Sequence, residues 1–318
     1  MEVSTRLKER FCKDNNLSIQ VFEEPYFTER LELFGEKDNY DSFVELVNSK
    51  FAGNEELFFA EYNSLKDKII DFIKNSDAFI HLNTCDMNQY AVNISSKQVD
   101  VYKEPYIGKR FLSIDIRKAN FSSLVHYGLN TGNLFFDNYN WNDFMKQFTD
   151  ISHFIDSKYI RQVVFGNCNP KRQVTYEKYL TCNVLNRILS IPNVDKSFVY
   201  SFCNDEIVLC VDNMDDNTIQ AIWDLCEKEL SSNYIPLKVE YFLLGKVTNT
   251  SAYMKRIYYS ITRDKYEDVI KCASAMDSPI IYRKLKGEPF NPNDLVFLHD
   301  KRLATYMTCP IIDFVFET

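Results

Sequence analysis

Phe111-Leu-Ser-Ile-Asp-Ile-Arg-Lys-Ala-Asn-Phe121 and, further along, Ser201-Phe-Cys-Asn-Asp-Glu-Ile-Val-Leu-Cys210 decide how this chain folds. In the first stretch Phe111, Leu112, Ile114 and Ile116 are strand formers. Asp115 stands among them, just ahead of a helix-compatible run from Lys118 to Tyr127. In the second, two apolar β-type runs, Phe198 to Phe202 and Ile207 to Val211, are joined through Asn204-Asp205, a dipeptide that tolerates a tight hairpin turn. Asp205 and Glu206 therefore fall at a hairpin tip. A carboxylate buried without a partner is costly, and three brought together repel one another unless a cation neutralises them. A divalent metal ion is the economical explanation for acids at these places.

The surrounding periodicities supply the rest of a sheet. Thr175 to Leu189 carries Leu180, Val184 and Ile188 at helical spacing, and Asp216 to Leu230 carries Ile219, Ile222, Trp223, Cys226 and Leu230 on one face. Pro236 to Leu244 alternates Leu237, Val239, Tyr241 and Leu243 against Lys238 and Glu240, the pattern of a half-buried strand. The order strand (111–116), helix, helix (175–189), hairpin (198–211), helix (216–230), strand (237–244) spells an α+β fold. It is a split βαββαβ sheet of the ferredoxin/RRM-like kind with an insertion, 129–174, after its first strand. Such a sheet sets the end of the first strand beside the hairpin, so Asp115, Asp205 and Glu206 are expected to converge.

With these residues in view, the chain resembles the palm of template-directed nucleotide polymerases of the reverse transcriptase and family B DNA polymerase kind. Ile114-Asp115-Ile116 through Ala119-Asn-Phe-Ser-Ser-Leu124 is similar to the first palm motif, and Cys203-Asn-Asp-Glu-Ile-Val208 to the last. Phe165-Gly-Asn-Cys-Asn-Pro-Lys-Arg-Gln173, ahead of a long helix, resembles the middle motif, and Lys255-Arg256-Ile-Tyr-Tyr259 the basic-aromatic element that grips a primer. The likeness spans roughly 105–260. It implies a metal-dependent nucleotidyltransferase in which Asp115, Asp205 and Glu206 are catalytic and hold two Mg²⁺ (or Mn²⁺) ions. It further implies that Lys171, Arg172 and Gln173 bind triphosphate, that Asn120 or Phe121 touches the sugar, and that Lys255 and Arg256 track the primer backbone. Nucleoside triphosphates and a nucleic-acid primer and template are the implied partners. The sequence departs from the family in reading Asn-Asp-Glu at the hairpin and in offering no obvious extended fingers or thumb. A nucleotidyl cyclase palm is a related likeness, carried by Asp115-Ile-Arg-Lys, Tyr127-Gly128 and Asp205-Glu206, but the glycine pair before its Asp-Glu is absent.

Composition bounds the chemistry. With 318 residues, 45% hydrophobic and 15% aromatic, the chain can bury an ample core. Nine cysteines, odd in number and mostly inside apolar runs, read as reduced thiols of an intracellular, cytoplasmic protein. Four scattered histidines and no Cys-x-x-Cys pair argue against zinc. No long apolar stretch or N-terminal signal is present, so no membrane is expected, and the oligomeric state is open. The bias toward Phe, Tyr, Asn and Lys fits AT-rich, viral coding. Net charge is −8, which weighs against a phosphate-binding protein unless basic residues cluster locally. They do so at Lys109-Arg110, Arg117-Lys118, Lys171-Arg172, Lys255-Arg256, Arg283-Lys284 and Lys301-Arg302.

Residues 1–104 read as an α+β, fingers-like lobe, helical at 43–49 and 56–74 and then strands at 79–82, 90–94 and 98–102 with a turn at 95–97. Lys109 and Arg110, just before the Asp115 strand, are placed to meet triphosphate. The aromatic-rich segment 129–164 reads as two core-packing helices. Gly166, Asn167, Asn169 and Pro170 break regular structure, so 165–173 is expected to be a shaped loop presenting Lys171, Arg172 and Gln173 at a helix entrance as an anion site. The palm-like domain spans 105–250. Residues 251–318 form a small C-terminal subdomain, with a strand at 251–262 and a helix at 264–276. Two other readings stay open: a catalytically silent palm serving as a scaffold for nucleic acid or a protein partner, and an α+β protein whose Asp205-Glu206 is only a polar hairpin tip.

Overall fold

A computed structural model describes residues 3–94, 100–230 and 235–317. The fold is α+β and built on one antiparallel sheet. Its strands are β1 (Arg110–Ile116), β2 (Val199–Phe202), β3 (Glu206–Cys210), β4 (Leu237–Val247), β5 (Tyr253–Tyr258) and β6 (Tyr266–Lys271), in the spatial order β2-β3-β1-β4-β5-β6. The central strand is thus the one that carries Asp115. Period-two alternation sends Leu112, Ile114 and Ile116 to one face, where they join Ile207, Leu209, Leu237, Val239 and Tyr241 in the main core. Helices α6 (Ala119–Thr131), α10 (Pro170–Ile188) and α11 (Asp216–Asp224) cover that face with Phe121, Leu124, Leu180, Val184, Ile188, Ile219 and Ile222. The other face carries Phe111, Val208, Phe242 and Ile257, packed under Tyr102, Tyr106 and Tyr200, and gives way toward the end of β1 to Ser113 and Asp115.

Among the described residues ahead of β1 the regular structure is helical. Its α-helices are α1 (Thr5–Asp14), α2 (Tyr26–Phe34), α3 (Lys37–Phe51), α4 (Glu55–Lys74) and α5 (Asp77–Thr84), whose buried residues continue the main core without a break. The strand expected at 79–82 is instead α5. Ser76 caps its N-terminus by accepting from the Phe79 amide, and Ala78, Phe79 and Leu82 bury at helical spacing. The strand expected at 90–94 is not formed: Tyr90 ends a 3-10 turn (Met87–Tyr90), and 91–94 carry no strand. The 95–97 turn and the start of the 98–102 strand lie outside the described residues.

The insertion forms α7 (Trp141–Met145), α8 (Ser152–Asp156) and α9 (Lys158–Gly166), three helices rather than two. The loop expected at 165–173 shrinks to 167–169, because Pro170 sits at the start of α10, where its missing N–H costs nothing. The strand expected at 251–262 is β5. The helix expected at 264–276 is β6, an edge strand with only Ile270 buried, so its alternation is faint in the sequence. The chain ends with α12 (Ser278–Leu285), a hairpin of β7 (Val296–His299) and β8 (Arg302–Thr305), and β9 (Phe314–Val315) paired to β4. Val247, Met254, Ile270, Ile281 and Ile312 give this end a core of its own. No helix among the described residues is long and apolar enough to cross a membrane.

Candidate active site

The register of β1 and β3 sets Asp115 directly opposite Glu206, and the Ile116 amide donates to the Asp205 carbonyl at 2.9 Å. The hairpin is held from two sides. The Cys203 amide closes the turn onto the Glu206 carbonyl at 3.0 Å, and Thr181 Oγ1 of α10 donates to the Asn204 carbonyl at 2.7 Å. Asp115, Asp205 and Glu206, remote in the chain, therefore meet at one end of the sheet.

Their fields overlap. Burial, then the Asp205 and Glu206 carboxylates, push the Asp115 carboxyl up to about 7, against which Lys238 acts only in part. Glu206 accepts a 2.6 Å hydrogen bond from Ser113 Oγ. A further acid joins from the helix layer. Glu177 on α10, only 7% exposed, is pushed up to about 7 by burial and by Asp205, with the Ser123 hydroxyl offsetting part of the rise.

Asp115, Asp205 and Glu177 line a cavity of about 410 Å³ together with Asn120 and three cations, Lys118, Lys158 and Arg161. Lys118 holds a left-handed backbone (φ 52°) at the β1–α6 turn and donates to Asn142 Oδ1 at 3.1 Å. Burial and the nearby Arg161 lower its pKa, with Asp156 opposing. Arg161 is also lowered by burial, and its Nε is buried without a hydrogen-bond partner. Lys158 and Arg161 lie three apart on α9 and so share a face. Among the described residues none of these three cations pairs with a carboxylate at ion-pair distance. The cavity is thus lined both by carboxylates and by cations that make no ion pair among the described residues.

Several residues expected here are placed elsewhere. Lys109 and Arg110 are at the opposite end of β1, about 17 Å from Asp115 at strand spacing. Lys109 lies over the Tyr106 ring, while Arg110 donates to the Asp212 carbonyl (2.8 Å) and to the Tyr241 hydroxyl (3.2 Å). Phe121 is fully buried among Trp141, Phe144 and Phe165, so it cannot touch a sugar; its neighbour Asn120 does line the cavity. Arg172 donates to the Leu82 and Cys85 carbonyls (2.8 and 2.9 Å) at the end of α5, Gln173 donates to the Cys168 carbonyl (2.8 Å), and Lys171 does not line the cavity. The anion site expected there is a set of helix-end contacts. Lys255 pairs with Glu240 at 2.8 Å and lies over Phe242. Arg256 makes two 2.9 Å bonds to Asp268 and stacks on Tyr266 and Phe316. Both are committed inside the sheet rather than offered to a primer.

Two signals for the missed residues were present. Glu177 falls four before Thr181 and eight before Leu185, which puts a carboxylate in the buried stripe of its helix. Lys158 and Arg161 are spaced to share a helix face inside the insertion.

Among the described residues no group of three or more His, Cys, Asp or Glu side chains is arranged to hold a metal ion. No protein-family model matches the chain, and no curated protein or solved structure matches it significantly.

Proposed function

We propose that the chain is a divalent-metal-dependent nucleotidyltransferase with a polymerase-like palm, taking a nucleoside triphosphate in the cavity between β1, α9 and α10. One observation carries this reading: a single cavity lined by Asp115, Asp205 and Glu177 together with Lys118, Lys158 and Arg161. A triphosphate with its counter-ion calls for both kinds of group, cations for the polyphosphate and carboxylates that would hold the metal. The sheet order β2-β3-β1-β4, with acids at the end of its central strand and in the adjoining hairpin, supports the palm.

The donor set fits Mg²⁺ or Mn²⁺. Mg²⁺ is commonly bound through one or two carboxylates, with water and substrate phosphates completing its shell. Asp115 and Asp205 would be those carboxylates, so a preformed cage of three side chains is not required. A bound ion would supply Lewis-acid polarisation of the transferring phosphoryl group. The chain's own residues do the rest. Lys118, Lys158 and Arg161 hold and orient the polyphosphate. Asp115 and Asp205 fix the reacting end. Ser113 holds Glu206 on the β1–β3 strand pair opposite Asp115, outside the residues that line the cavity.

The test is incubation with each labelled nucleoside triphosphate, with and without primer and template and with and without Mg²⁺ or Mn²⁺. Metal-dependent nucleotide transfer, lost in Asp115→Asn and Asp205→Asn proteins that keep their thermal stability, is the expected result. Full transfer by both variants would overturn the assignment. A second reading, a silent palm that binds nucleic acid or a protein, is favoured by the Asn204-Asp205-Glu206 hairpin and by the net charge of −8. Under it, Mg²⁺ and Mn²⁺ leave the melting temperature unmoved while partner binding persists.

A further inference from the structure

We propose that β6 is the docking strand of a homodimer, pairing antiparallel with β6 of a second copy so that Glu267 of each copy faces the partner's Lys271. The inference is independent of the nucleotide reading and starts from the two ends of the sheet. At one end β2 is four residues long and its register with β3 slips between Val199 and Ser201, an irregularity of the kind that keeps an edge from accepting another strand. At the other end β6 pairs with β5 over all six of its residues without a slip, and the strand order stops there. The Tyr259 amide donates to the Lys265 carbonyl at 3.0 Å, which sets the alternation. Residues 265, 267, 269 and 271 turn their backbone groups to β5, and Tyr266, Asp268 and Ile270 turn theirs outward. Among the described residues no other element bonds to those outward groups.

The side chains select the occupant. Glu267, Val269 and Lys271 alternate onto one face of the sheet. Lys271 lies near Lys255 and Lys238, both already committed to Glu240 (2.8 and 2.5 Å), and makes no ion pair of its own among the described residues. An acid from outside would meet that excess of positive charge. Charges on an edge strand commonly keep other strands away, but these are spaced so that a second copy satisfies them. With a two-fold axis at Val269, Glu267 falls opposite the partner's Lys271 and Lys271 opposite the partner's Glu267, both in close, non-hydrogen-bonded pairs. Asp268 then faces the partner's Ile270, its charge already held by Arg256 in two 2.9 Å bonds. Other centres fail. An axis at Asp268 sets that residue against itself and Lys265 against Lys271, one at Glu267 sets two glutamates face to face, and one at Ile270 leaves Glu267 and Lys271 unmatched. An axis farther out overlaps too little of the strand.

Sedimentation velocity of the full chain over a concentration series, with melting temperatures in parallel, is the test. Wild type should show a concentration-dependent dimer. Glu267→Lys or Lys271→Glu alone sets two like-charged pairs across the axis and should weaken the dimer about tenfold or more. The double reversal recreates both pairs with the signs exchanged and should restore the dimer to within about threefold of wild type. The two positions are about 13 Å apart along one strand, so a contact inside the monomer cannot give that rescue. Should a reversal unfold the chain, the register is read another way. Val269→Cys, in a background where the exposed Cys272 and Cys309 are changed to serine, should form an intermolecular disulfide on oxidation. A central non-hydrogen-bonded pair brings the two Cα atoms to about 4.5 Å, within disulfide reach. A wild type that stays monomeric at every concentration overturns the proposal. So does a dimer indifferent to both single reversals, one that the double reversal fails to recover, or one whose introduced thiols do not cross-link.

Discussion

Asp14 and Asp115 are both acids drawn out of water, and the chain furnishes them in opposite ways. Asp14, at the end of α1, accepts from Tyr62 Oη (2.7 Å), Ser157 Oγ (2.8 Å) and His153 Nε2 (3.0 Å), with Arg10 Nε at 3.7 Å. It ties α1 to α4, α8 and α9, and Ser157 in turn caps α9 by accepting from the Ile160 amide at 3.1 Å. Asp115 instead meets other carboxylates. A buried acid surrounded by donors is what a fold builds to hold itself together. A buried acid surrounded by acids lowers the stability of the folded state and invites a cation. The two environments also cooperate, since the Asp14 cluster fixes the start of the helix that carries Lys158 and Arg161.

The sharpest break of this comparison is a pair of substitutions read on two axes. Asp115→Asn should reduce metal-dependent transfer about a thousandfold, the equivalent of several kcal/mol of lost charge stabilisation, and leave the melting temperature level or higher. Asp14→Ala should instead cost about 3 kcal/mol of stability, because three donors are left without their acceptor. Denaturant unfolding beside a transfer assay checks both. If Asp115→Asn is the variant that unfolds, the contrast is void.

Next in size are the cations that line the cavity. Lys158→Ala with Arg161→Ala should weaken triphosphate binding about a hundredfold, roughly tenfold for each charge-assisted contact. Because Arg161 Nε has no partner to lose, stability should hold. Calorimetric titration with a nucleoside triphosphate in Mg²⁺ measures it, and unchanged affinity would remove the cations from the site.

Acid–base titration sharpens the same point. Asp115 and Glu177 have folded pKa values raised to about 7 from ordinary values of 3.8 and 4.5. The folded chain therefore keeps protons that the unfolded chain has released, and stability falls as pH rises from about 4 to 7, by at most about 1.4 kcal/mol per pH unit for each group. Glu240 works in the opposite sense. Burial would raise it, but Lys255 and Lys238 hold it at about 2, so its contribution is present above its ordinary 4.5 and is lost as pH falls below that. In metal-free buffer, unfolding free energy should decline between pH 5 and 7.5, and Asp115→Asn with Glu177→Gln should flatten the decline. A wild-type profile that rises over that interval contradicts the crowding of the acids.

How much of this was legible depended on how each residue is buried. β1, the β2–β3 hairpin and β4 were readable because half-buried strands print their alternation, and antiparallel topology then brings Asp115 to Asp205. β6 was not, since an edge strand buries little; Arg256 pairing to Asp268 across it belongs to the sheet, not to the local sequence. The α5 helix was missed because Phe79-Ile-His-Leu82 is as apolar as a strand, and its cap, Ser76, precedes the run by three residues. The cations of the cavity were hidden for another reason. A basic doublet reveals charge but not partners, so Lys171-Arg172 and Lys255-Arg256 drew attention while Lys158 and Arg161, spaced by a helical turn in an irregular insertion, did not.

Arg172 gives the smallest and most discriminating effect. Its guanidinium spans the Leu82 and Cys85 carbonyls, which are orphan acceptors at the end of α5, and so it ties that helix to the start of α10. Arg172→Ala should cost about 1 kcal/mol of stability, reduced from the usual value of charged bonds because water can reach a helix end. Arg172→Lys should recover only part, since an ammonium cannot bridge both carbonyls with the same fixed fork. Triphosphate affinity should stay within twofold of wild type in both. Had the residue been an anion ligand, affinity would drop while stability held, the reverse of the pattern that helix-end contacts require.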